Sequence, residues 1–346
     1  AAFLGVTKAS VSKWENAQSL PDILLLPQLA AFFGVSVDAL MGYESQLSRE
    51  QIRRIYQELT QKFSSRPFQE VTWETEALAR RYYSCYPLLL QLCVLYLNHF
   101  MLPEKPEDRQ RMVSAALSWC DRISDNCTDA GISADAAVLR AILKMQQGDA
   151  REAVRILEPL MADPCRLSSQ GNQVLIQACQ LSGDLPRARS YTQITQYQTL
   201  LQLMEIGITE LALCEDPARC LETIRRVTIV IESFHLDELH PNNAARFHYE
   251  TAVFYAQNDL LPDALKALTE FEKCISRLLK APYLHGDDYF DLLDEWIEQL
   301  PLGNAAPRDL CFLQQNITTA FSHPAFGKLK DDVTFRQIQK RLTAKT

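Results

Sequence analysis

Residues 7–16, TKASVSKWEN, place two lysines, three hydroxyls and an amide on what reads as one short helix. Thr7 suits its N-cap, because a side-chain oxygen there can accept from the unsatisfied N–H groups of the first turn. Val11 and Trp14 lie three apart and share an inward face. Lys8, Ala9, Ser12 and Lys13 then point elsewhere, with short or donor-bearing side chains at the leading end. Such an end suits the edges of base pairs, and its N–H groups and hydroxyls suit phosphate.

A second pattern is softer. Gln170, Gln173, Gln177 and Gln180 fall at 0, 3, 7 and 10 on one helix, with Val174, Leu175, Ala178 and Leu181 towards the other side. A row of amides can donate to and accept from an extended peptide backbone. Arg246 and Tyr249 are candidates for the same concavity. A neutral, solvated helix face is the competing reading of the glutamines.

Catalytic chemistry is not indicated. The six histidines are scattered, and His235 and His240 sit five apart in an expected loop. There is no H-E-x-x-H and no Cys/His cluster, so no metal is implied. None of the ten cysteines forms a C-x-x-C pair; most lie in apolar helical patterns, where Cys acts as a small hydrophobe. Neither a Gly-rich phosphate loop nor G-x-S-x-G occurs. Asp287, Asp288, Asp291, Asp294, Glu295 and Glu298 read as the acidic, solvated surface of a helix. The expectation is a protein that is not an enzyme and takes no cofactor.

The elements that position these residues read as helices throughout, with apolar residues recurring at three and four and no convincing alternation. Eleven glycines in 346 residues are too few for a Gly-rich sandwich or a doubly wound nucleotide fold. No apolar run approaches the length of a membrane span. With no export signal and unpaired cysteines, a reduced cytoplasm is expected. The formal charge of −8 excludes a generally basic nucleic-acid coat but not a local reading element.

Three stretches differ in character. Residues 1–43 hold short helices and tight turns around a compact apolar set: Leu4, Val6, Val11, Trp14, Leu29, Phe32, Val35 and Leu40. Thr7 and Ser36 are the expected caps. Residues 44–68 form a linker, with one amphipathic helix over 47–63. Ser48 and Gln51 make its capping box; Ile52, Ile55, Tyr56, Leu59 and Phe63 make its stripe. Its Arg49, Arg53 and Arg54 read as a solvated face. Residues 69–346 are helical hairpins with an internal repeat. Gly148-Asp149-Ala150-Arg151-Glu152-Ala153 returns as Gly183-Asp184-Leu185-Pro186-Arg187-Ala188. Degenerate copies start at Glu215 and Asp259, and an inserted loop is expected near 235–243. Gly permits the tight turn, Asp or Pro suits the next helix start, and Ala or Cys keeps that helix thin. Residues 323–342 read as a terminal helix capping the array.

The segment LGVTKASVSKWEN, followed by LPD and LAAFFGVSVDAL, resembles the Cro/C1-type (XRE) helix-turn-helix family of bacterial transcriptional regulators. That resemblance implies base-facing roles for Lys8, Ala9 and Lys13, and flanking or phosphate-facing roles for Thr7, Ser10, Ser12 and Asn16. The family usually has Gly where Ala17 stands, so a positive φ there would cost about 1 kcal/mol. It also has a further helix ahead of this segment, and on that reading the sequence starts inside the domain, N-terminally truncated. Residues 69–346 resemble a degenerate tetratricopeptide repeat array. The combination is similar to Gram-positive regulators whose solenoid dimerises and binds an imported signalling peptide. The expected protein is therefore all-α: a partial helix-turn-helix domain, a linker helix and a tetratricopeptide-like α-solenoid. Its expected partners are double-stranded DNA, a second copy, and a peptide or protein ligand in the groove, with no membrane. The alternative is a protein–protein interaction module whose helix-turn-helix is secondary.

Overall fold

The computed structural model describes residues 1–42, 46–161, 171–307 and 310–343. Within them the chain is all-α, with no strand and one isolated bridge, Tyr283 to Ala305. The head holds α1 (Lys8–Glu15), α2 (Leu26–Phe33) and α3 (Val37–Met41). The remainder is α4 (Arg49–Ser65), α5 (Phe68–Arg81), α6 (Tyr86–His99), α7 (Pro106–Asn126), α8 (Ala130–Gln146), α9 (Ala150–Met161), α10 (Gly171–Leu181), α11 (Leu185–Leu213), α12 (Pro217–Ser233), α13 (Leu236–Leu239), α14 (Pro241–Gln257), α15 (Leu261–Lys280), α16 (Leu293–Gln299), α17 (Leu310–Ala320) and α18 (Val333–Thr343). No helix among the described residues is long and apolar enough to cross a membrane.

Local chemistry sets the head. Thr7 Oγ1 accepts from the Ser10 N–H at 3.1 Å, and Ser36 Oγ accepts from Ala39 N–H at 3.0 Å, as the sequence predicts. Gly34 ends α2 in the left-handed region. Ala17 also has a positive φ, 54°, after α1, the conformation that costs a non-glycine residue about 1 kcal/mol. The expected compact core is thinner than predicted. Among the described head residues Ala30 is the one buried side chain, and Phe32 (58 % exposed) and Val35 stay on the surface. Helices of eight, eight and five residues cannot surround the whole apolar set. Phe32 instead meets the rings of Phe3 and Phe33, with centroids 5.0 and 5.2 Å away.

α4 starts with the predicted capping box: Ser48 Oγ accepts from Gln51 N–H, and the Gln51 side chain accepts from Ser48 N–H at 2.7 Å. Its buried residues Ile52, Tyr56, Leu59 and Phe63 lie in one apolar cluster with α5 to α8. A second cluster runs from α11 to α18.

The repeated turns have a common physical basis. Gly148, Gly183 and Asp259 all have positive φ, between 60° and 82°, and join α8 to α9, α10 to α11 and α14 to α15. The copy at 215 uses Asp216 as an N-cap and Pro217 as the first helical residue instead. The small residue that follows each turn, Ala153, Ala188, Cys220 or Ala264, is buried. The interval between the second and third turns holds one helix of 29 residues, α11. Gly207 lets it approach α12 closely, since a Cβ there would lie 2.8 Å from a Val227 methyl.

Three expectations change, one of a loop and two of helices. Residues 235–243 hold α13 and the start of α14, and His240 is the buried-side N-cap of α14, its Nδ1 accepting from Asn243 N–H. The acidic stretch is a turn before it is a helix: Asp287 Oδ1 accepts from the Tyr289 and Phe290 N–H groups, and α16 begins at Leu293. The expected single terminal helix over 323–342 is instead a 3-10 helix, Pro324–Leu329, followed by α18, which packs on α15 and α17 and buries Phe335, Ile338 and Leu342.

Candidate nucleic-acid interface and ligand cavity

α1 has two unlike faces. Val11 and Trp14 are half-buried, and Lys8, Ala9, Ser12, Lys13 and Asn16 are exposed. At about 100° per residue the exposed five fill one arc of roughly 140°. Ser10 and Thr7 are engaged with each other: their hydroxyls lie 2.9 Å apart, in addition to the cap. Asn16 Nδ2 donates to the Ser12 carbonyl at 2.8 Å, which leaves its oxygen outward. Among the described residues Lys8 and Lys13 make no ion pair, so both ammonium groups face solvent. The N–H groups of Lys8 and Ala9 precede the first intrahelical acceptor, and the helix dipole adds partial positive charge there. The face can thus donate to phosphate from its backbone and to base edges from two lysines. The rest of the head is not basic: residues 1–42 carry these two lysines against Glu15, Asp22 and Asp38.

Among the described residues no hydrogen bond, ion pair or ring contact joins 1–42 to the remainder. The first link after the head is Gln46, whose side chain donates to the Ser84 carbonyl at 3.1 Å. α4 is then fixed at its solvent side by groups far along the chain. Arg53 donates to the carbonyls of Glu298 (2.7 Å), Leu300 (2.9 Å) and Pro301 (3.3 Å), and Arg49 donates to Gln299 at 3.4 Å. Of the three arginines expected on a solvated face, Arg49 and Arg54 are exposed and Arg53 is half-buried. Arg49 and Arg53 also satisfy carbonyls at the C-terminal end of α16, where cations are favoured.

Residues 1–40 match the helix-turn-helix family model. The match covers the head and ends before α4, and it agrees with the Cro/C1-type resemblance there. No curated protein and no solved structure matches the chain. The head is therefore similar to helix-turn-helix segments, and α1 is its helix whose outward face carries the polar set.

The predicted ligand residues separate. Arg246 and Tyr249, one turn apart on α14, line a cavity of about 670 Å³. Arg246 pairs with Glu205 on α11, and the Tyr249 hydroxyl donates to the Ala320 carbonyl at 3.0 Å. Burial raises the Tyr249 phenol to about 12, so it stays a neutral donor. Gln173, Gln177 and Gln180 are exposed on α10 and do not reach this cavity; Gln170 lies outside the described residues. The cavity's other polar groups were not singled out from sequence. They include Asn98 of α6, Asn242 of α14, Asn304 of the loop after α16 and Asn316 of α17. His240 also lines the space, and burial lowers its pKa and keeps the ring neutral. No group of three or more His, Cys, Asp or Glu among the described residues is placed to hold a metal ion.

Proposed function

We propose that the protein is a sequence-specific transcriptional regulator that reads duplex DNA with α1 and is controlled through its helical repeat domain. The observation that carries the reading is the outward arc of Lys8, Ala9, Ser12, Lys13 and Asn16 on a capped helix, within a segment that matches the helix-turn-helix family. Lys8 and Lys13 donate to guanine edges, Ala9 meets a thymine methyl, and Thr7, Ser10, Ser12 and Asn16 lie along the phosphates. With little other positive charge in the head, two heads on one site supply the affinity that one lacks.

The repeat domain, tetratricopeptide-like in its turns, supplies the dimer. Leu203, Ile206 and Leu213 form an exposed apolar stripe on α11 and are the proposed contact with a second copy. The cavity beside Arg246 and Tyr249 receives a signalling peptide or other ligand, and α4 connects it to the head.

Selection of bound sequences from a random duplex pool by the intact protein tests this. Enrichment of two half-sites about one helical turn apart, with affinity falling steeply as salt rises, is the expected result. A pool that stays random after repeated rounds at low salt overturns the reading.

A further inference from the structure

One segment, residues 298–307, the end of α16 and the loop after it, is shared by two features far apart in sequence. On one side it holds α4. Arg53 and Arg49 clasp its carbonyls as described, the Tyr56 hydroxyl donates to the Pro307 carbonyl at 3.1 Å, and Leu302 packs into the cluster of α4 to α8. Gly303, at φ 61°, lies under the guanidinium of Arg53; a Cβ there would sit 3.1 Å from Nη1. On the other side Asn304, Ala305, Ala306 and Pro307 line the 670 Å³ cavity, paired with the adjacent lining segment through the Leu284 N–H donating to the Asn304 carbonyl at 3.0 Å.

The lining specifies a type of occupant. Phe271, Ile275, Leu278 and Ile317 make an apolar floor. Four asparagines from four elements line the same space, Asn98 half-buried and Asn242, Asn304 and Asn316 exposed at its mouth. Asn98 donates to the Tyr56 hydroxyl at 3.0 Å, and the side chains of Asn242, Asn304 and Asn316 make no hydrogen bond within the described chain. Each free carboxamide offers donors and an acceptor without charge. Arg246 is already paired with Glu205 and Glu250 also lines the cavity, so the lining holds no unpaired cation for an anion. The volume falls in the range of small-molecule sites, about 300–1,000 Å³.

We propose that this cavity binds an uncharged amphipathic small molecule, and that segment 298–307 passes its presence to α4. The apolar body lies against Phe271, Ile275 and Ile317, and its hydrogen-bonding groups meet the free carboxamides. A ligand acts on α4 by favouring one position of the segment over another. The proposal narrows the ligand of the reading above and rests on it only for the step from α4 to DNA.

The test uses the intact protein and two probes with the same aromatic body: uncharged N-phenyl-1-naphthylamine and its sulfonate, 8-anilinonaphthalene-1-sulfonate. The uncharged probe is expected to saturate one site at least tenfold more tightly than the sulfonate. Ala320→Phe inside the cavity and the surface substitution Ala306→Trp on the loop should each weaken it tenfold or more. Hydrogen exchange should slow on binding in residues 300–307 and in 49–56 together. Arg53→Ala should keep the probe bound and lose the effect on 49–56. Equal or tighter binding of the sulfonate overturns the ligand class, and affinity indifferent to both fillings overturns the site. Unchanged exchange in α4 with the probe bound overturns the coupling. None of these readouts involves DNA, so a failure of duplex binding and a failure of this proposal are told apart.

Discussion

Among the described residues 1–42 one side chain, Ala30, is buried, whereas residues 49–343 bury two continuous clusters rich in Leu, Ile, Phe and Ala. The head is held in shape by caps and left-handed turns at Thr7, Asp22, Gly34 and Ser36. The helices from α4 onward are held by area removed from water. An outward helix needs direction more than a large core, and a packed body is rigid enough to transmit a small displacement. The contrast also predicts that the two regions respond differently to the same perturbation.

The largest difference is in the cores. Phe247 is fully buried on α14, so Phe247→Ala should cost about 3–5 kcal/mol in chemical unfolding of the repeat domain. Phe32→Ala, on the exposed face of α2, should stay within about 0.5 kcal/mol. Equal costs would erase the distinction drawn here.

Acid should separate the regions next. His248 is buried and His240 half-buried, and desolvation lowers both pKa values below 6.5. Both are neutral when folded, and the unfolded chain takes up protons first. The stability is therefore intact above about pH 6.5 and is lost as pH falls through the lowered folded values. Residues 1–42 contain no histidine. The thermal midpoint of the repeat domain should fall between pH 7 and 5.5, and His248→Gln should flatten that slope. A slope untouched by the substitution would remove His248 from the account.

Smaller effects sharpen the description of the head. Ala17 sits at φ 54°, so Ala17→Gly should stabilise the head by about 1 kcal/mol, read as slower amide exchange in residues 8–16. Thr7→Ala removes the cap and should cost a similar amount, about 1 kcal/mol, in the same measurement. Opposite signs for these two substitutions are the expected signature of a unit ordered by its turns.

The parts legible in the sequence were those whose cause is local. Thr7, Ser36 and the Ser48–Gln51 box announce helix starts within three residues, and Gly148 and Gly183 announce turns that only a left-handed residue closes. The polar arc of α1 follows from helical spacing alone. The cavity was legible only in part. Arg246 and Tyr249 were found, but Asn98 and Asn316 come from helices more than 200 residues apart and meet only through tertiary packing. The clasp on α4 had no sequence signal, because Arg53 binds backbone carbonyls, which every residue carries. The glutamine row had the right period for a face, and that face meets solvent.

The central claim is that the outward arc of α1 reads base pairs. Its most direct test is the affinity of the intact protein for its selected duplex, measured over a salt series with Lys8→Ala and Lys13→Ala. A loss of about 1–3 kcal/mol is expected for at least one of them, with relaxed preference at a single base position and binding to random duplex changed far less. Unchanged affinity and unchanged preference in both variants would contradict it.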